Sequence, residues 1–213
     1  MYPSSSIRNQ NYNLASRSVA VIDWSQWFDH AWLFKGAETL DDGMLDLVGS
    51  QELSQYGVNW NAVDGAIFDG ATSYIETNLV PQMSPLWTVM VRFSGVVNDA
   101  TTLLGEYRNN QREFTIKVDP SSGTGVRYCY GNAITVGPGM ESGVLAIAGD
   151  TVYRNGIAEG TITIPATTPS YTIWLGYGHQ QYPGLCNIQA FGQKVGVLDA
   201  SEVLAASLAM ASI

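Results

Sequence analysis

Nineteen carboxylates, two histidines and two cysteines are the groups in this 213-residue chain that could carry acid–base, nucleophilic or metal chemistry. Glycoside hydrolysis asks for two carboxyl groups roughly 5–9 Å apart across the sugar, and side chains two apart on a strand meet that spacing. No Asp or Glu here has another at i+2, and Asp42 and Asp46, four apart, are separated by a glycine-bearing loop. His30 and His179 are the sole imidazoles, and no Gly-x-Ser-x-Gly elbow accompanies them. None of the three lysines follows a glycine, which excludes a Walker A loop. Two distant histidines and two distant cysteines give no zinc spacing. The chain therefore reads as non-enzymatic.

Sugar recognition needs less: an aromatic face to stack on a ring, and amides or hydroxyls for its hydroxyl groups. The stretch GYGHQQYPG, glycine at both ends, offers Tyr177, His179, Gln180, Gln181 and Tyr182. A second polar stretch, YRNNQRE, offers Arg108, Asn110 and Arg112. The alternative for both is an ordinary solvated loop with a packed tyrosine.

The elements that would hold these loops are strands. In LWTVMVRFSG, Trp87, Val89, Val91 and Phe93 alternate with polar or smaller neighbours, the period of a sheet with one apolar face. Phe114, Ile116 and Val118 repeat the pattern, as do Val126, Tyr128 and Tyr130 across a Gly-bearing turn. Tyr171, Ile173 and Leu175 form another such set. Asn155-Gly156 is the strongest short hairpin signal, because both residues tolerate the positive φ of a type I′ turn. Asp42-Gly43 and Asp69-Gly70 read as turns. Trp24, Trp27, Phe28, Trp32 and Phe34 read as core. Helical character is confined to the end, where Asp199 and Glu202 form a capping box and Leu204 and Leu208 are expected to face inward. The pattern predicts an all-β fold: a two-sheet antiparallel jelly-roll sandwich with an N-terminal arm and a short C-terminal helix.

Composition agrees. Only 14% of residues are charged, and glycine is plentiful at 22, which suits many short strands and tight turns. A net charge of −9, with no Lys/Arg cluster, excludes nucleic acid, whose affinity comes from cations on phosphates. No apolar run reaches the ~20 residues that cross a bilayer. Cys129 and Cys186 read as buried free thiols that could pair if adjacent. Residues 1–18 are polar, Ser/Asn-rich and aperiodic. They read as an anchoring arm held by a partner subunit, with the sandwich over 19–213.

In order and spacing these pieces resemble the laminin-G-like domains of the concanavalin A-like lectin/glucanase superfamily. HAWLF is similar to the opening aromatic strand, DDGMLDL to the Asp-containing loop, and AIFDGATSYIET to the Phe-Asp-Gly element. WTVMVRF, VYRNGIAEG and the closing IWLGYG…YPGLCNIQAFGQKVGVLDASEV follow in turn, so the likeness runs from Trp32 to Leu208. The resemblance implies a structural role for Asp69-Gly70. It also raises a calcium ion held by loop oxygens of the type Asp64, Asp69 or Asn187 supply, with no ligand set assigned. The N-terminus lacks the basic-then-apolar pattern of a signal peptide. With the arm and the missing catalytic groups, this resembles free-standing sandwich domains of bacteriophage head or tail proteins. The expectation is a virion surface protein made in the host cytoplasm, a decoration or tail protein contacting other virion proteins, homo-oligomeric and able to bind a glycan. A stand-alone carbohydrate-binding module is the alternative, and a glycoside hydrolase a further one.

Overall fold

The computed structural model describes residues 22–81, 86–96, 101–106, 114–119, 125–130, 132–164, 171–178 and 182–213. In chain order the strands begin with β1 (His30–Leu33), β2 (Ser54–Tyr56), β3 (Asn59–Asn61), β4 (Gly65–Asp69), β5 (Tyr74–Glu76) and β6 (Trp87–Ser94). Next come β7 (Thr101–Glu106), β8 (Phe114–Asp119), β9 (Gly125–Tyr130), β10 (Asn132–Val136), β11 (Gly143–Ala148) and β12 (Thr151–Arg154). The last are β13 (Ile157–Thr161), β14 (Ile173–Leu175), β15 (Tyr177–Gly178), β16 (Tyr182–Pro183) and β17 (Leu185–Val195). Helix α1 (Leu40–Gly43) is a single turn, and α2 (Ala200–Ala211) is the C-terminal helix.

One sheet runs β13-β12-β11-β6-β17-β4-β3, with β1 also paired to β17; the other runs β10-β9-β8-β7-β14-β5-β2. All pairings are antiparallel. This is the expected all-β, two-sheet sandwich. Trp87, Val89, Val91 and Phe93 of β6 face Phe114, Ile116, Val118, Val126, Tyr128 and Tyr130 of the opposite sheet in one buried core. The alternation read in each of these strands is the alternation the fold uses. Cys129 and Cys186 are both buried free thiols, and burial pushes the Cys186 thiol up to about 12.

The first sheet has a second covered face. Met90, Val144, Ala146, Ala148 and Ala190 pack beneath Trp24, Phe28 and the α2 residues Val203, Ala206 and Met210. Here the structure corrects the helix reading: Leu204 and Leu208 are exposed, and the buried stripe is Val203, Ala206, Ser207 and Met210. The helix meets the alanine-rich sheet face along Val203, Ala206, Ser207 and Met210, with the small Ala206 and Ser207 at the middle of the stripe, and the leucines turn outward. The capping box is present, with Asp199 accepting from Glu202 N and Glu202 reaching back to Asp199 N. At the other end Arg92 donates to the Met210 carbonyl and Lys35 to that of Ile213, cations placed where the helix dipole favours them.

Two turn readings separate. Asn155 and Gly156 have φ of 49° and 81°, as a type I′ hairpin requires. Asp42-Gly43 is not a tight turn: both residues belong to α1, whose N-cap Thr39 accepts from Asp42 N. Tyr171 also departs from the reading. It lies before β14, exposed, while Ile173 and Leu175 are buried.

Two aspartates hold the loops. Asp69 Oδ1 accepts from the N–H groups of Ala71, Thr72 and Ser73 at 2.8–3.0 Å, turning the chain at Gly70 from the first sheet into the second. These bonds, that of Ser73 foremost, hold its carboxyl well below the usual range. Asp46 accepts from the N–H groups of Ala31, Val48, Gly49 and Gln51 and lies 2.6 Å from His30 Nδ1. Burial alone would raise its carboxyl, but the bonds from His30, Gln51, Gly49 and Ala31 outweigh it and hold the group low.

Three outcomes follow. Gly176 has φ +71°, and a Cβ there runs into the Phe68 ring; Gly176→Ala should lower stability by about 3 kcal/mol in urea unfolding. Asp46→Ala leaves four backbone donors, three of them in part-buried bonds, without their acceptor and should cost about 2 kcal/mol by the same assay. Both aspartates titrate lower in the folded chain than in the unfolded one. Their contribution is complete above the unfolded range near pH 4 and lost as pH falls through the folded values. Thermal unfolding from pH 3 to 8 should show a plateau above pH 5 and a decline below 4, and a decline starting near pH 6 would contradict the assignment.

Candidate functional site

Three strands at one end of the second sheet, β2, β5 and β14, turn aromatic side chains away from the core. Register fixes who meets whom. Tyr56 stands opposite Tyr74, and Ser54 opposite Glu76, which in turn stands opposite Trp174. Because Ile75, Ile173 and Leu175 are the buried members of these strands, Tyr74, Glu76, Thr172 and Trp174 occupy the other face.

The rings form a column. Tyr56 and Tyr74 stack with centroids 4.4 Å apart and planes 20° from parallel. Tyr74 and Trp174 stack at 4.2 Å and 6°. Tyr177 leans across both, 5.8 Å from each and tilted by 52° and 49°. Rings stacked in this way present their edges and polar tips along the column and a whole face at its ends. Tyr56, on the edge strand of the sheet and 46% exposed, is the open end.

A directional chain of hydrogen bonds runs beside the rings. Trp174 Nε1 donates to Thr172 Oγ1 at 3.2 Å, and Thr172 Oγ1 donates to Glu76 Oε1 at 3.0 Å. The indole N–H can only donate, so the Thr172 hydroxyl accepts from it and passes its own hydrogen to the carboxylate. Glu76 thereby fixes the orientation of the Trp174 ring.

Of the residues singled out from sequence, Tyr177 joins the column. Tyr182 pairs through its backbone with Gly178 in the β15–β16 hairpin. The Tyr182 side chain, with His179, Gln180, Gln181, Arg108, Asn110 and Arg112, lies outside the described residues. Of the three residues named for calcium, Asp69 holds its turn through Oδ1 and Asp64 Oδ2 accepts from Asn61 Nδ2 at 2.8 Å, while Asn187 lies on β17. Among the described residues no group of three or more His, Cys, Asp or Glu could hold a metal ion.

Sequence reasoning missed Tyr56, Tyr74 and Trp174. The signal available was an aromatic residue at the polar phase of an alternating strand, as Trp174 is between Ile173 and Leu175. A second feature, an open cleft of about 370 Å³ lined by Asp41, Met44, Asp46, Gln51, Glu52 and Leu53, offers less. Its central carboxylate, Asp46, already accepts four backbone N–H groups.

No protein-family model and no curated protein sequence matches the chain. Solved structures do. A sialidase of Trypanosoma rangeli, solved with sialic acid, superposes with a TM-score of 0.61 at 14% identity over 87% of this chain and 33% of the sialidase. The chain thus spans about a third of that enzyme's length. Domain 4 of AbnA, a GH43 extracellular arabinanase from Geobacillus stearothermophilus solved with arabinotriose, gives 0.57 at 17% identity, covering 84% of this chain and 98% of that domain. The binding domain of botulinum neurotoxin DC, solved with SialylT, gives 0.58 at 11% identity over 87% and 52% of the two chains. At these identities the likeness is one of fold, a jelly-roll sandwich of the concanavalin-like kind.

Proposed function

We propose that this protein is a non-catalytic carbohydrate-binding module, working without metal or cofactor, whose sugar lies at the Tyr56–Tyr74–Trp174 column. The observation that carries the reading is the column itself: three stacked rings on the outward face of the second sheet, with one end open and a carboxylate alongside. A pyranose or furanose presents a CH-rich face to the open ring of Tyr56 and its hydroxyls to the row of polar tips. The arabinanase domain solved with arabinotriose and the toxin binding domain solved with SialylT share the fold, which supports a sugar as the ligand class.

The setting proposed for the module is the surface of a bacteriophage particle, reached through residues 1–18 and presented there in several copies. What supports it is the polar arm, which contains no acidic residue, and the laminin-G-like resemblance of the sandwich. The arm lies outside the described residues.

Screening the full chain on a glycan array, then measuring the best ligand by calorimetry, tests the site. Saturable binding is expected, with Tyr56→Ala about tenfold weaker and its unfolding midpoint within about 2 °C of the parent. Binding indifferent to both Tyr56→Ala and Trp174→Ala would move the site elsewhere. Release of reducing ends from a polysaccharide would restore the hydrolase. For the setting, light scattering of the full chain beside a variant lacking residues 1–18 should show an oligomer that the truncation dissolves. Two monomers of equal behaviour would remove the arm from any role in assembly.

A further inference from the structure

The carboxylate beside the column has a consequence for which sugars fit. Glu76 is half-buried, directly opposite Trp174 on one side and Ser54 on the other. Its Oε1 is committed to the Thr172 hydroxyl. Oε2 takes no hydrogen bond among the described residues, and it lies on the same sheet face as the rings. Tyr74 and Glu76 are two residues apart on β5, so their side chains leave the strand about 7 Å from one another. That is the width of one sugar ring.

We infer that Glu76 is the specificity-determining residue of this site and that the site takes neutral sugars through a pair of adjacent hydroxyls, excluding acidic ones. The inference rests on the column being the sugar site. An ionised carboxylate only accepts hydrogen bonds, and two neighbouring sugar hydroxyls can donate to it together. The carboxylate of a sialate or uronate, or a sulfate group, brings only acceptors and a like charge to that place.

The chain as a whole favours the same outcome, with a net charge of −9. Among the described residues, Lys117 and Arg127, paired across β8 and β9, are the cations on this part of the sheet. They lie two and three strands from Trp174, about 10 and 14 Å at the usual strand spacing. That is beyond the screening length of about 8 Å at physiological salt. Among the described residues Glu76 is the charge nearest the Trp174 ring.

The substitution Glu76→Gln isolates the effect. Glutamine keeps a carbonyl oxygen for the Thr172 hydroxyl, so the bond chain that orients Trp174 survives, while the other position changes from acceptor to donor and the charge is lost. The probe is a glycan array of matched pairs, each neutral oligosaccharide beside its sialylated or uronate-capped form, read with the full-length protein. The parent should prefer the neutral members. E76Q should bind them about tenfold more weakly, the loss expected for one charge-assisted hydrogen bond, and its neutral-to-acidic ratio should fall by at least as much. Near-ultraviolet circular dichroism of E76Q should match the parent, showing the Trp174 environment intact.

A parent that prefers the acidic members, or an E76Q protein with unchanged selectivity, overturns the role of Glu76. In that case loss of binding in Tyr56→Ala still upholds the column. If no glycan binds, or Tyr56→Ala binds as the parent does, the column reading fails and the specificity assigned to Glu76 fails with it.

Discussion

Burial of β6 and β17 on both faces is the constraint from which the rest of the molecule follows. These strands pair with each other at the centre of the first sheet. Their inward side chains, Trp87, Val89, Val91, Phe93, Ile188 and Phe191, meet the second sheet. Their outward ones, Met90 and Ala190, meet α2 and the Trp24–Phe28 segment. Even Thr88 is buried on that side, its hydroxyl donating to the Gly196 carbonyl and accepting from Leu198 N. The second sheet carries no such helix among the described residues, and the aromatic column stands on its outward face.

The same economy governs the charged groups. Asp46 and Asp69, which by type and loop position look like functional carboxylates, hold their loops instead: Asp46 accepts four backbone N–H groups across both oxygens, and Asp69 accepts three at Oδ1. Arg154 closes on Glu159 at 2.9 Å and on the Val136 and Pro138 carbonyls. Arg92 and Lys35 close on the end of α2. Glu76 differs in its place: it stands beside the ring column, held at Oε1 through Thr172.

Much of the sandwich was legible because period-2 alternation and Gly-bearing turns are local signals. Val126, Tyr128 and Tyr130 share a face for the same reason in sequence and in space. The Asn155-Gly156 hairpin and the Asp199–Glu202 box are likewise set within four residues. What was not legible depends on what an element packs against. Leu204 and Leu208 satisfy helical spacing, but the alanine-lined sheet beneath α2 selects Ala206 and Ser207 instead. The column is non-local in the same sense: Tyr56, Tyr74 and Trp174 come from three strands and are brought together by register alone. Loop composition pointed to Tyr177, which adjoins the column, and could not show that strand residues form the greater part of it.

A site carried by strands has different energetics from one carried by loops. Ordering a rotamer-rich side chain on binding costs about 0.5–1.5 kcal/mol each, and loops add backbone ordering to that. Here Tyr74 is clamped between two rings, Trp174 is fixed by stacking on one face and by the Thr172–Glu76 chain at its nitrogen, and the backbone beneath is paired on both sides. On the proposed reading, little of the protein would remain to be ordered when a sugar binds, which lowers that part of the cost while the loss of translational and rotational freedom stays. The same rigidity narrows what is accepted, since rings locked in parallel cannot part to admit a bulkier or differently charged partner. On the proposed reading, register, which places Glu76 opposite Trp174, would set both the strength and the selectivity of the surface.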